Sequence, residues 1–142
     1  MNEKVVPATL ESVREGSQSM DGRYAEALLK ELATWTNTTT IILHGGCVFE
    51  FKGRFPEGTI GHGFYNLGGE APGFQGHIHL EAIKHIAFQD RPHRGRESYA
   101  FNFMDSENQN IFKVFLGRDQ QGELLQEQVS AFKRIRSQLH LW

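Results

Sequence analysis

The stretch Ile41–Lys52, with the sequence IILHGGCVFEFK, gives the clearest indication of how this chain folds. Its odd-numbered positions are apolar apart from the glycine, whereas the even-numbered ones include His44 and Glu50, an alternation typical of a strand with one buried face. The adjacent glycines Gly45 and Gly46 interrupt the pattern, because two residues without a Cβ atom are costly inside a regular strand. We therefore predict one bent strand with a bulge at the glycine pair.

Further segments with strand character follow this stretch along the chain. Clusters of Gly, Pro, Asp, Asn and Ser, which are typical of turns, separate them. They cover His62–Leu67, Phe74–Gln89, Tyr99–Met104 and Asn110–Leu116. Stripes of apolar residues at helical spacing lie on both sides, from Asp21 to Trp35 and from Asp119, as N-cap, to about Leu141. This order predicts a single α+β domain over residues 1–142, an antiparallel β-sheet flanked by N- and C-terminal helices.

The composition excludes several classes of protein. Of 142 residues 39% are hydrophobic and 15 are glycine, which excludes a disordered chain and a collagen. Since 15 Lys and Arg are outnumbered by 17 Asp and Glu, no strong positive field is available for nucleic acid. The stretch Met1–Leu10 lacks the apolar run of a signal peptide, and no segment is long enough to span a membrane. We expect a cytoplasmic protein, in which the lone Cys47 forms no intrachain disulfide.

Two motifs invite a nucleotide-binding or a catalytic interpretation that the sequence does not favour. The glycines between Gly58 and Gly76 lack the dinucleotide fingerprint, because Asn66 occupies the position of its last glycine. We predict that these glycines form hairpin turns. Cys47 lies in a strand pattern without a catalytic signature around it, so we predict no catalytic residue.

The densest group of potential metal ligands lies in the segment Phe74–Gln89. In one unbroken strand, His77, His79, Glu81 and His85 would share a face, and imidazoles with a carboxylate are ligands of zinc or non-haem iron. A solvated polar face is the commoner outcome of such a pattern. The 11 Phe, 3 Tyr and 2 Trp of the chain are most simply core residues, although their number would also suit a pocket for a flat ligand.

Several segments together resemble a known family. They are VFEFKGRFPEG at 48–58, HGFYNL at 62–67, GHI at 76–78, HIA at 85–87, FLGRD at 115–119 and EQVSAF at 127–132. In order and spacing they are similar to the HutX/ChuX family of intracellular haem-utilisation proteins, and the similarity extends from about Leu10 to Ile135. The resemblance also implies that this chain begins later than its relatives, without a helical N-terminal stretch that they share.

This resemblance implies a fold, an assembly and a function. The fold would be an α+β domain like one half of the duplicated haem-degrading proteins, paired as a homodimer. The chain would bind haem in the cytoplasm after import and deliver it to a haem-degrading partner protein, without catalysis of its own. Two alternatives stay open, namely an enzyme that degrades haem and an interaction dimer that binds no haem.

The resemblance also implies candidate residues for the haem and its iron. His77, in the GHI motif, matches one histidine of the family and is the expected axial ligand. The position of the second histidine falls on Leu43, so the neighbouring His44 can serve if the glycine pair resets the strand phase. Arginine and lysine side chains available for the haem propionates are Arg91, Arg94, Arg96 and Lys113.

Overall fold

The computed structural model describes residues 18–69 and 73–138, which form two antiparallel sheets and two α-helices. The helices are α1 (Ala25–Leu32) and α2 (Gln126–Ser137). The strands are β1 (Ser19–Asp21), β2 (Thr38–His44), β3 (Cys47–Gly53), β4 (Gly58–Gly61), β5 (Phe64–Leu67), β6 (Gly76–Ile78), β7 (His85–Asp90), β8 (Tyr99–Met104) and β9 (Asn110–Leu116). Short 3-10 turns cover Gly22–Tyr24 and Leu80–Ala82. The predicted α+β class is confirmed.

The larger sheet has six strands in the order β1-β7-β8-β9-β2-β3. Its inner face, which carries Phe101 and Val114, is buried against the rest of the core. Phe132 of α2 fits among the rings of this face, with centroids 5.4 Å from Phe88 and 5.0 Å from Phe101. The apolar stripe predicted for the C-terminal helix is therefore the part of α2 that closes the core.

The stretch Ile41–Lys52 is a hairpin and not the single bent strand that its alternation predicts. Gly45 and Gly46 have φ angles of 61° and 81°, the left-handed conformation required by a two-residue hairpin turn. His44 therefore pairs directly with Cys47 across the turn. As a result, the odd-numbered residues of β2 and those of β3 lie on opposite faces, so the predicted continuous apolar face is wrong.

The helix predicted to begin at Asp119 begins later. The Asp119 carboxylate accepts hydrogen bonds from the backbone N–H of Gln121 and Glu123, both at 2.9 Å, and holds a tight turn. Gly122, with φ of 83°, closes that turn, so the chain cannot be helical before α2. The part of the predicted helix after residue 138 lies outside the described residues. The N-terminal helix is shorter than predicted, because Asp21 caps a 3-10 turn before α1.

The smaller sheet, in the order β4-β5-β6, packs on the inner side of the larger one. Tyr65 is fully buried, and Phe74 stacks on Phe51 at 4.7 Å and meets the edge of Phe55 at 5.6 Å. Gly58 leaves room for the Tyr65 ring, since a Cβ atom there would lie 2.4 Å from it. These aromatic contacts join the two sheets.

Candidate functional site

His77 lies in β6 on the outward face of the smaller sheet. β5 pairs Asn66 with His77 in register, and the Nδ1 atom of His77 is 2.6 Å from Oδ1 of Asn66. Phe64, on the same face and 40% exposed, has its ring centroid 5.9 Å from both the His77 and the His79 imidazole. We call these four residues, Phe64, Asn66, His77 and His79, the imidazole surface.

Asn66 fixes the tautomer of His77. The Nδ2 group of Asn66 donates to the backbone carbonyls of Thr59 at 3.2 Å and Gly61 at 3.0 Å, so its Oδ1 atom is the one that faces the histidine. An amide oxygen only accepts hydrogen bonds, and Nδ1 of His77 must therefore be the protonated nitrogen. The lone pair on Nε2 is left for a ligand, which is how metal-binding histidines are oriented in proteins.

His44 lies elsewhere, at the last position of β2 beside the hairpin turn. It is exposed and shares the inner face of the larger sheet with Ile42 and Phe49. Phe49 is 50% exposed although it lies on the inner face, so the tip of the hairpin extends beyond the packed part of the core. His44 and His77 belong to different sheets, and within the described residues no hydrogen bond or ring contact joins them.

His77, His79, Glu81 and His85 do not share the face that one unbroken strand over Phe74–Gln89 would give them. The segment breaks into β6, a 3-10 turn that contains Glu81, and β7, and the two strands belong to different sheets. His79 lies 3.9 Å from Glu81, but His85 is half-buried at the start of β7. No group of three or more His, Cys, Asp or Glu side chains in residues 18–69 and 73–138 is placed to hold a metal ion. Cys47 is exposed at the hairpin turn.

A groove of about 780 Å³ crosses the outer face of the larger sheet, the face turned away from the core. The register Ile41↔Lys113 and Leu43↔Val48 brings β9, β2 and β3 side by side beneath it. Its floor contains the apolar side chains Ile41, Leu43, Val48 and Phe115, with polar side chains such as Thr39 and Glu50 beside them on the same face. Two loops form its walls, the basic loop 91–98 and the turn 117–124.

Positive charge dominates this groove, although the chain as a whole carries a net charge of −2. Burial lowers the pKa of the Lys113 ammonium, and the charge of Arg91 lowers it further. Arg118 donates to the backbone carbonyl of Gly122 at 3.1 Å, and Arg96 donates to the same oxygen. Among the residues that line the groove, only Glu50 and Asp119 are acidic. The basic ones number five, namely Lys52, Arg94, Arg96, Lys113 and Arg118.

The structure thus brings together three of the four basic residues considered for propionates, and it places Arg91 near Lys113. Sequence reasoning missed His93, whose ring lies in the same groove at 6.2 Å from the Phe115 ring. The sequence indicates His93 only by its position inside the basic run RPHRGR at 91–96. A search for paired histidines does not find it, because this run contains a single histidine.

The imidazole surface and the basic groove lie on opposite sides of the core. Tyr65 and Ile78, on the other face of the smaller sheet from His77, pack into the core beneath the larger sheet. The groove lies beyond that sheet and includes neither His77 nor His44.

No helix in residues 18–69 and 73–138 is long and apolar enough to cross a membrane.

This architecture, a six-stranded and a three-stranded antiparallel sheet with a C-terminal helix over the core, is that of the haem-utilisation fold. It is similar to the Escherichia coli O157:H7 heme degrading enzyme ChuS, with a TM-score of 0.66 and 17% identity over 81% of this chain and 35% of that one. The model of the family "Haem utilisation ChuX/HutX" matches residues 18–135, and the chain belongs to this family.

Two relatives are more similar in sequence. The intracellular heme transport protein HutX of Vibrio cholerae is 42% identical over 119 residues, which are 84% of this chain and 62% of that protein. The chain thus spans less than two thirds of the length of this relative. A solved structure of the heme binding protein ChuX is 34% identical, with a TM-score of 0.80 over 87% of this chain and 78% of that one.

Proposed function

We propose that this chain binds haem inside the cell, carries it, and delivers it to a haem-degrading partner protein. Membership of the haem-utilisation family supports the connection with haem. The names of two relatives, an intracellular heme transport protein and a heme binding protein, support binding and transport. The likeness to ChuS, at 17% identity, concerns the fold alone and does not favour a degrading activity.

The observation that carries the proposal is the hydrogen bond from His77 to Asn66. A histidine held with Nδ1 protonated presents Nε2 to ferric iron without first changing its tautomer or its ring orientation. Phe64 stands beside the imidazole and offers an apolar ring against which a flat macrocycle can pack. His77 is therefore our proposed axial ligand. When bound, the haem supplies the iron, and the chain supplies the ligand nitrogen and the contact surface.

His44 is our second proposed ligand, although it lies at the hairpin tip of the other sheet. Phe49 and Ile42 on the same face provide apolar surface next to it. Both histidines are exposed, so each is accessible to an incoming macrocycle. Their contributions are best separated by single substitutions.

The experiment is a hemin titration followed through the Soret band, with His79→Ala as the matched control. His79 contacts the same Phe64 ring but has no bond to Asn66. We expect His77→Ala to weaken hemin binding about a hundredfold. Removing a residue that only hydrogen-bonds to a metal ligand weakens binding about 10- to 100-fold, and removing the ligand itself should cost at least the upper value. His79→Ala should change affinity by less than about threefold, and His44→Ala should have an intermediate effect.

Two results would contradict this proposal. Equal and small effects of His77→Ala and His79→Ala would mean that His77 is not the ligand. A hemin spectrum unchanged by the protein would favour the interaction dimer that binds no haem.

Transport and degradation are distinguished by what happens to bound haem in air. With ascorbate, oxygen and catalase, we expect the Soret band to persist and no iron to reach a chelator. Haem should leave the protein faster in the presence of a haem-degrading protein than in buffer alone. Rapid bleaching with an open-chain product, despite catalase, would identify the chain as a haem-degrading enzyme.

We further propose that the chain forms a homodimer, of about 32 kDa because one chain is 16.2 kDa. Val48, in the edge strand β3, is 57% exposed, and its cross-strand neighbour Leu43 in β2 is 52% exposed. Large exposed apolar side chains at the edge of a sheet favour association. Light scattering at micromolar concentration tests the proposal, and a mass of 16.2 kDa would contradict it.

A further inference from the structure

The β4–β5 hairpin surrounds the Asn66 amide with backbone carbonyl groups. The Nδ2 atom of Asn66 lies 3.0 Å from the carbonyl oxygen of Gly61 and 3.2 Å from that of Thr59, both on β4. A third carbonyl oxygen, that of Phe64 on β5, is 3.4 Å from the same nitrogen. The amide nitrogen is therefore held by both strands of the hairpin, so the backbone fixes its position.

These carbonyl groups decide which side chain position 66 can carry. A carbonyl oxygen only accepts hydrogen bonds, so the group that faces the three oxygens must be a donor. The group that faces His77 is an acceptor, the Oδ1 atom of Asn66, which lies 2.6 Å from Nδ1 of His77. An amide of this length offers both, whereas an ionised carboxylate offers acceptors alone.

Gly61 lies at the tightest point of this arrangement. A Cβ atom on Gly61 would be 3.3 Å from the Nδ2 atom of Asn66, which is closer than an ordinary van der Waals contact. The amide could yield only by lengthening its bond to His77 or to a carbonyl group, because these bonds hold it at both ends. Gly61 is not among the glycines with a positive φ angle, so its backbone conformation is one that alanine also adopts. The missing side chain therefore serves the amide and not the path of the chain.

We propose that Gly61 is a positioning residue for His77, and that it acts through Asn66, which the hairpin accepts only as an amide. The connection runs from β4 through a side chain of β5 to the imidazole on β6, across all three strands of the smaller sheet. Its consequence for haem rests on the proposed function, in which His77 is the axial ligand. The orientation of the imidazole does not, since hydrogen bonds within the chain set it.

The tautomer of His77 is measured first, in the full chain without haem. Nitrogen NMR at pH ~8, where free imidazole is neutral, distinguishes a proton on Nδ1 from one on Nε2. The signal that disappears in His77→Ala belongs to His77, and in the parent protein we expect it to show the proton on Nδ1. In Gly61→Ala the signal should move toward a mixture of both tautomers. The control Gly68→Ala, with open space around its Cβ position, should keep the signal of the parent.

Asn66→Asp separates the need for an amide from the need for any acceptor. Carboxylates are common acceptors for the N–H of a ligand histidine, so a site that requires only an acceptor would bind hemin at least as tightly in this variant. Here one carboxylate oxygen would replace Nδ2 against the carbonyl oxygens of Thr59 and Gly61, which repel it. We expect the carboxylate to turn toward solvent, the tautomers of His77 to mix, and hemin binding to weaken about tenfold. Gly61→Ala, which displaces the amide without removing it, should weaken hemin binding about threefold.

Each outcome of these measurements decides the inference. An unchanged His77 tautomer in Gly61→Ala would overturn the role of Gly61, and so would a Gly61→Ala chain that does not fold, because alanine fits this backbone. A proton fixed on Nδ1 together with undiminished hemin affinity in Asn66→Asp would overturn the requirement for an amide. If both variants mix the tautomers but neither they nor His77→Ala change hemin affinity, the positioning inference stands and the haem-ligand proposal fails.

Discussion

The imidazole surface and the basic groove are two exposed regions built on one core with opposite chemistry. The imidazole surface offers one oriented nitrogen lone pair and an aromatic ring, on a short strand of the smaller sheet. The groove offers five basic side chains together with apolar ones such as Ile41 and Leu43, on the outer face of the larger sheet. The first suits a metal ion in a macrocycle, and the second suits the carboxylates of a ligand.

The two regions show that one small domain can carry two chemically different surfaces when each is built on a different sheet. The smaller sheet contacts the core through aromatic side chains around Phe74 and Tyr65, whereas the groove lies on β9, β2 and the edge strand β3 of the larger sheet. A change in the smaller sheet should therefore affect the imidazole surface and leave the groove in place.

The largest expected effect follows from Gly58→Ala. The new Cβ atom would lie 2.4 Å from the buried Tyr65 ring, and such overpacking costs about 1–3 kcal/mol. We expect a lower melting temperature and weaker hemin binding. Gly76→Ala, in the same sheet but with open space around its Cβ position, is the matched control and should behave like the parent. Hemin binding equal to that of the parent in Gly58→Ala would show that the imidazole surface does not depend on the packing of the smaller sheet.

A smaller effect is expected from Asn66→Ala, which removes the hydrogen-bond acceptor of His77. The histidine remains, but either nitrogen can then carry the proton, so hemin affinity should fall about tenfold. A hemin titration at constant pH measures this. The melting temperature should change little, because the amide is only partly buried and its partners are carbonyls that water can reach. A hemin affinity equal to that of the parent protein would contradict the proposal that Asn66 prepares His77 for ligation by fixing its tautomer.

The smallest effect concerns His85, an imidazole that we expect to influence stability and not binding. Burial lowers its pKa, and the nearby Asp105 carboxylate opposes the shift. Because the folded pKa is below the unfolded value of about 6.5, the unfolded chain takes up the proton first as the pH falls. Stability is therefore highest above pH ~6.5 and declines on acidification below it.

Melting temperatures measured from neutral to mildly acidic pH test this assignment. His85→Gln should lose part of the acid-side decline while its hemin affinity at neutral pH stays unchanged. An identical pH profile in the variant and the parent would mean that other groups cause the decline.

Much of the fold could be predicted from the sequence, because it depends on local patterns. Alternation gave Tyr99–Met104 and Asn110–Leu116 with the bounds that β8 and β9 have. The apolar stripe around Val129 and Phe132 indicated the C-terminal helix. The resemblance to the haem-utilisation family, carried by motifs such as HGFYNL and GHI, is confirmed by the match over residues 18–135.

The errors arose where a local pattern admits two geometries. A Gly-Gly pair is compatible with a bulge and with a two-residue turn, and the choice decides whether Leu43 shares a face with Phe49. Pairing of β2 with both β3 and β9 selects the turn. The histidines of Phe74–Gln89 likewise separate because β6 and β7 pair with partners in different sheets.

By itself the sequence determined the α+β class, the family, and His77 as a residue of interest, because side-chain periodicity and motif spacing are properties of the chain. Only the tertiary structure decided that Asn66 orients His77, and that Arg94, Arg96 and Lys113 line one groove on the opposite side of the core. The physical reason is that a hydrogen bond between strands and a groove across three strands depend on register. Register is set by long-range pairing, which local sequence does not encode.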